Sequence, residues 1–89
     1  MTTLHTLSHP RFLETCLSLI RPGDALLLIE DGVYLLGSHK LPDNIPLHAL
    51  IDDARTRGLQ ARLESFVTPV DFPGFVTLVC QYDKLVNWI

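Results

Sequence analysis

Residues Leu26 to Val33 read LLLIEDGV, an aliphatic run that passes without a break into two carboxylates and a glycine. With Ala25 in front, the stretch Ala25 to Ile29 is apolar at every position. Strict alternation would mark a strand with one wet face; a continuous apolar run marks a strand covered on both. This segment therefore predicts a central strand of a parallel sheet, with Glu30-Asp31-Gly32 at its carboxyl end.

The flanking sequence agrees. Upstream, Met1 to Leu7 reads as a strand ending at Ser8-His9-Pro10, with Ser8 as helix N-cap and Pro10 inside the first turn. Phe12, Leu13, Cys16, Leu17, Leu19 and Ile20 then recur at helical spacing, opposite Glu14, Thr15 and Ser18. Arg21-Pro22-Gly23-Asp24 stops that helix. Strand, amphipathic helix and doubly covered strand make a right-handed βαβ unit.

Downstream the theme repeats: a strand over Ile45 to Ala49, and a helix over Ile51 to Arg57 with Asp52 and Asp53 in its first turn and Gly58 at its C′ position. Phe66 to Val70 predicts a strand that Pro69 confines to an edge or an end. In Phe72 to Tyr82, β-branched residues allow a strand, but Asp71 is a cap, Pro73 fits a first turn, and Phe72, Phe75, Val76 and Val79 share a helical face; a helix is predicted. Leu85 to Ile89 is the last short strand. The expectation is one α/β domain over residues 1–89, a flavodoxin-like three-layer sandwich with a mostly parallel sheet of four to five strands.

In such a sheet, ligands and partners meet the crevice at the carboxyl ends of the strands. The aliphatic run is then a rigid support and the acidic turn is what it presents. Gly32 permits a positive φ, and Asp31 can accept from the amides that follow, in a helical turn over Val33 to Gly37; the plainer reading is that Asp31 only caps that turn. His9 is either at the crevice mouth beside Asp31, placed to tune a thiol brought by a partner, or, on the plainer reading, simply a histidine at the helix start. Val33, Tyr34, Leu35 and Leu36 form an apolar run too short to bury every side chain, so the turn and run, with Tyr34, are expected in a subunit contact. Trp88 either locks the last strand to the core or anchors an interface.

Composition excludes much. With 89 residues, 7 Lys+Arg against 10 Asp+Glu and a formal charge of -3, the chain has one core and no basic field for gathering phosphates. Arg55, Arg57 and Arg62 read as a solvated helix end, so direct nucleic-acid binding is not expected. The N-terminus has no basic region followed by an apolar one, and no apolar run spans a bilayer. Cys16 and Cys80 lack CxxC spacing and read as reduced cytosolic thiols. His5 and His9 share no helix face, and His39 and His48 lie elsewhere, so neither a metal nor a cofactor is expected. The first βα turn has no glycines for a pyrophosphate, and no G-x-S-x-G is present.

Taken together, Leu4-His5-Thr6-Leu7, Gly23-Asp24 before the aliphatic strand, Asp31-Gly32-Val33, Arg57-Gly58-Leu59, Val70-Asp71-Phe72 with Phe75-Val76, and Trp88 resemble the TusB/DsrH family, in the family's order through nearly the whole chain. The resemblance implies a DsrEFH-like fold and a place in a cytoplasmic sulfur-relay complex. There it would join two related small subunits, TusC/DsrF-like and TusD/DsrE-like, in a dimer of heterotrimers. Such relays pass persulfide sulfur to a downstream acceptor protein, toward 2-thiolation of a tRNA wobble uridine or into dissimilatory sulfur metabolism. The principal sulfur-carrying cysteine is implied on the D/E-type subunit, leaving this chain a mainly structural companion.

Leu13 to Leu17 resembles the segment where some DsrH-type members place a cysteine, which makes Cys16 the candidate for direct persulfide transfer. Its mid-helix place on the apolar face favours a buried thiol instead. Cys80, near a helix end whose dipole disfavours a thiolate, is the weaker candidate. The other expectations are a direct carrier using Cys16 and a stand-alone small-metabolite-binding module.

Overall fold

Strands β1 (Thr3–Leu7), β2 (Ala25–Leu28), β3 (Leu47–Leu50), β4 (Val67–Val70) and β5 (Lys84–Trp88) pair in parallel as one sheet, ordered β4-β3-β2-β1-β5, in a computed structural model that describes residues 1–89. Helices α1 (Leu13–Leu19) and α2 (Ile51–Thr56) join β1 to β2 and β3 to β4, and α3 (Phe72–Cys80) joins β4 to β5. From β1 to β4 the chain steps one way across the sheet; from β4 it returns past β1 to the far edge. Right-handed crossovers going one way and then the other must lie on opposite faces. Leu13 and Cys16 of α1 and Ala54 of α2 accordingly join one apolar cluster, and Leu78 of α3 joins the other. The result is the three-layer α/β sandwich expected, with α3 the only helix of its layer.

The opening run occupies the middle of this architecture. All four β2 residues are fully buried. Leu26 and Leu28 enter the larger cluster with Leu7, Leu47 and Ala49, while Ala25 and Leu27 pack with Leu4 under α3. Because β2 pairs with β1 and β3, both faces and both edges are closed. Burying leucines this completely stabilises the fold by about 2 kcal/mol each. β4 is an edge strand, as Pro69 requires, and β5 is the opposite edge.

Element ends depart from the sequence reading in small, explicable ways. α1 is preceded by a 3-10 turn, Pro10–Phe12, capped by His9 rather than Ser8: His9 Nδ1 accepts from the Arg11 amide at 3.1 Å. Proline at the first position of the turn fixes the cap one residue before it, so Ser8 remains with the sheet, donating from Oγ to the Trp88 carbonyl at 2.7 Å. β3 begins at Leu47, because Pro46 has no amide to give a ladder, although its carbonyl accepts from the Leu26 amide at 3.0 Å. α3 starts as predicted, with Asp71 accepting from the Gly74 amide at 2.8 Å.

Candidate functional site

At the carboxyl end of β2 the chain turns at once into a 3-10 helix, Glu30–Leu35. The left-handed residue is Glu30, with φ 48°, and not Gly32. Gly32 is required for another reason: its α-carbon lies against the end of β1, where a Cβ would come 2.9 Å from the Leu7 carbonyl carbon and closer still to its oxygen. The turn is held in place through the Glu30 backbone and the Asp31 carboxylate. Asp53, at the start of α2, accepts the Glu30 amide at 2.6 Å, and Arg57 donates from Nε to Asp31 at 3.0 Å and from Nη1 to the Asp53 carbonyl at 3.2 Å. Asp31 therefore makes no cap; it is paired, and the arginine that pairs it is largely covered. The ends of β2 and β3 are tied together through Arg57.

Tyr34 stands beside this cluster, its ring 6.0 Å from the Arg57 guanidinium carbon, and is half exposed. Its neighbours differ from expectation. Val33, Leu35 and Leu36 are buried in the main cluster, on the sheet face that α1 and α2 also cover. Of the apolar run, Tyr34 alone faces outward.

The neighbouring seam, between β1 and β5, is where strand order reverses and ligand crevices usually open. Here it is closed. The Trp88 carbonyl accepts from both the amide and the hydroxyl of Ser8, and Trp88 Nε1 donates to His5 Nδ1 at 3.1 Å. On its other side, His5 Nε2 lies 3.3 Å from Asp24. Since Nδ1 accepts, Nε2 carries the proton and donates, so the imidazole is neutral in this arrangement. Asp24 also accepts from the amides of Thr3 at 2.9 Å and Arg21 at 3.0 Å. Burial alone would raise its pKa, but these two amides and His5 outweigh that and hold the carboxyl below the usual aspartate value. Trp88 thus serves as a lock on the last strand. His9 is exposed, packs edge-on against Phe12 with ring centroids 6.5 Å apart, and hydrogen-bonds Arg11 rather than Asp31.

Cys16 is fully buried in the larger cluster. Burial, reinforced by the Asp24 charge, pushes its thiol up to about 11. Cys80 is exposed at the end of α3. A shallow hollow lined by Leu17, Arg21, Pro42 and Ile45 lies toward the amino ends of the strands, away from the acidic turn. No helix is long and apolar enough to cross a membrane.

Two groups of residues escaped the sequence reading: the Asp24–His5 pair and Arg57. For Asp24 the signal was present, an aspartate in a Pro-Gly turn directly before an apolar strand, where a carboxylate must find donors. Arg57 gave none, because its partner Asp31 lies 26 residues away.

Residues 8–85 match the DsrH family model, described as DsrH like protein. The chain belongs to the DsrH family. Curated relatives of the family are similar over nearly full length. "Protein TusB" of Escherichia coli O1:K1 / APEC is 33% identical over 96% of this chain and 99% of its own. "Protein TusB" of Shigella boydii serotype 18 is 32% identical over the same shares. The DsrH match includes the acidic turn, Arg57, α3 and the start of β5.

Proposed function

We propose that this chain is a companion subunit of a sulfur-relay complex, supporting persulfide transfer toward 2-thiolation of a tRNA wobble uridine without carrying the sulfur itself. The observation that carries the companion role is the state of Cys16. A persulfide carrier needs an accessible thiolate. A thiol buried in the core with a pKa of about 11 is ionised in on the order of one molecule in 10,000 at pH 7. Membership of the DsrH family supports the relay; the lack of an accessible, electrostatically favoured thiol in place of Cys16 favours the thiolation branch over the oxidative one.

The contribution is structural. The chain would join TusC/DsrF-like and TusD/DsrE-like subunits in a dimer of heterotrimers in the cytoplasm, with the acidic turn, His9 and Tyr34 shaping the place where a partner's persulfide is handed on. Arg57 fixes that turn by spanning Asp31 and the Asp53 backbone, so the surface offered to a partner is preorganised.

Native mass spectrometry of the tagged chain purified from its own cells tests the reading. A hexamer of three small subunits with Cys16 free of added sulfur is expected, and Cys16→Ser should leave tRNA thiolation intact. A lone monomer would remove the relay assignment; a persulfide on Cys16 would make this chain a carrier.

A further inference from the structure

The outer surfaces of α1 and α2 carry charge in the ordinary way, with Glu14, Asp52 and Arg55 exposed. α3 does not: from Phe72 through Tyr82 there is no charged residue. A helix with so little polar surface is normally a buried helix, yet α3 is covered on one side only, and its one outward hydroxyl, on Thr77, donates back to the Pro73 carbonyl. Phe75, Leu78 and Val79 pack inward on Leu4, Ala25 and Leu27. Phe72, Val76 and Cys80, spaced i, i+4, i+8, form an outward stripe, with Phe72 60% and Val76 51% exposed. Leu85, level with Leu4 on the same sheet face, extends the patch at 41% exposure. Monomers seldom leave such apolar residues contiguous.

The charges at the rim say what covers it. Asp71 stands at the start of α3 and Asp83 just beyond its end, both exposed, on the order of 15 Å apart along the helix. Asp83 accepts from the Thr2 amide and hydroxyl, and these bonds with the nearby N-terminal ammonium hold its carboxyl below the usual aspartate value. Strand alternation and register bring Thr6, His48, Thr68 and Asn87 to this face, and no lysine or arginine; Lys84, level with Thr3, belongs to the other. Two copies packed α3 against α3 would set carboxylate against carboxylate at both ends, whether the helices ran parallel or antiparallel.

We propose that the outer face of α3 docks a different small subunit of the relay assembly, through an apolar surface whose rim sets basic side chains against Asp71 and Asp83. This rests on the relay-subunit reading and deepens it, adding to the acidic turn and Tyr34 a second contact on the opposite face of the sheet.

Cys80 is a built-in reporter, since it ends the stripe while Cys16 is buried. The chain is purified alone and co-expressed with the two neighbouring small subunits, and maleimide modification of Cys80 is timed by mass spectrometry in each. In the complex the rate should fall at least tenfold, and Val76→Arg should be excluded from assembly while melting like wild type and Val76→Leu assembles normally. A complex in which Cys80 keeps its free-chain rate, or which Val76→Arg enters like wild type, overturns the docking face and leaves the relay reading standing. No complex with the wild-type chain overturns both, and a self-dimer that protects Cys80 overturns the choice of occupant.

Discussion

Gly32 lies against the carbonyl of Leu7, closer than any side chain permits, and that same carbonyl accepts the Ile29 amide at 3.0 Å. The acidic turn is thus pressed onto the end of β1 by backbone contact alone. Gly32→Ala drives a methyl group into a backbone that has no flexible side chain to yield, so the turn must lift or the β1–β2 ladder must part. The expected cost is about 2–4 kcal/mol. For a domain of this size that lowers Tm by on the order of 10 °C or more. A thermal melt within about 2 °C of wild type would contradict the close approach.

Removing the seam's hydrogen bonds should give a graded series. Trp88→Phe keeps an aromatic ring near His5 but removes the indole N–H and part of the packed ring, leaving the buried His5 Nδ1 without a donor, for about 1–3 kcal/mol. Asp24→Asn weakens the acceptor of two amides and the imidazole, for roughly 2–3 kcal/mol. Because the Asp24 pKa is depressed in the fold, its stabilisation is complete above the unfolded aspartate value of about 4 and is lost as pH falls through the folded value. Urea melts at pH 7 and pH 3.5 should therefore show Asp24→Asn losing less stability on acidification than wild type. Equal acid losses would mean another carboxylate governs.

His48 gives a second, milder pH dependence. Burial lowers its pKa, and its Nδ1 has no hydrogen-bond partner in the protein. The folded chain then binds fewer protons than the unfolded one just below the unfolded value of about 6.5, so stability falls as pH drops through that point toward the folded pKa. His48→Leu, beside Leu27 in register, removes that limb and is expected to raise stability at pH 6 by on the order of 1 kcal/mol. Denaturation midpoints at pH 7.5 and 6 decide it; a variant that keeps the wild-type slope refutes the assignment.

The sequence exposed the architecture because its signals are local. An apolar run of strand length, Pro69 at an edge, and Asp71 with Pro73 at a helix start each follow from a few adjacent residues, and all are seen in the structure. What it hid is long-range or steric. Nothing near Gly32 announces that the β1 backbone will press on it, so its glycine suggested a positive φ that Glu30 adopts instead. Asp31 reads as a cap because caps are local, whereas its partner Arg57 arrives from another element. Likewise the helical pattern of α3 is legible, but the bareness of its outer face depends on every other connection passing over the opposite side of the sheet.

Arg57 should matter for the order of the turn more than for overall stability. Its pair with Asp31 is half in solvent, so the ion pair itself is worth about 1 kcal/mol or less. Arg57→Leu, however, removes the fork joining Asp31 to the Asp53 backbone and leaves the Asp31 carboxylate without its partner. Hydrogen exchange over residues 30–35 should quicken several-fold while the β2 amides stay protected. Uniform exchange changes across the sheet would show instead that Arg57 supports the whole fold.

The two thiols should behave oppositely, and this bears most directly on function. Cys80 is exposed, whereas Cys16 has no accessible surface and a thiol raised to about 11. Reaction at Cys16 requires both opening of the core beneath α1 and ionisation of a disfavoured thiolate, and these penalties multiply. A soluble persulfide or disulfide donor should thus modify Cys80 at least 100-fold faster than Cys16 in the folded chain, with the rates converging in denaturant. Cys16→Ser places a hydroxyl among Leu13, Leu26 and other apolar neighbours, and is expected to lower stability by about 1–2 kcal/mol without impairing sulfur transfer by the assembled complex. Peptide mapping after timed quenching resolves the two sites, and prompt sulfur loading of Cys16 in the native chain would return it to the role of carrier.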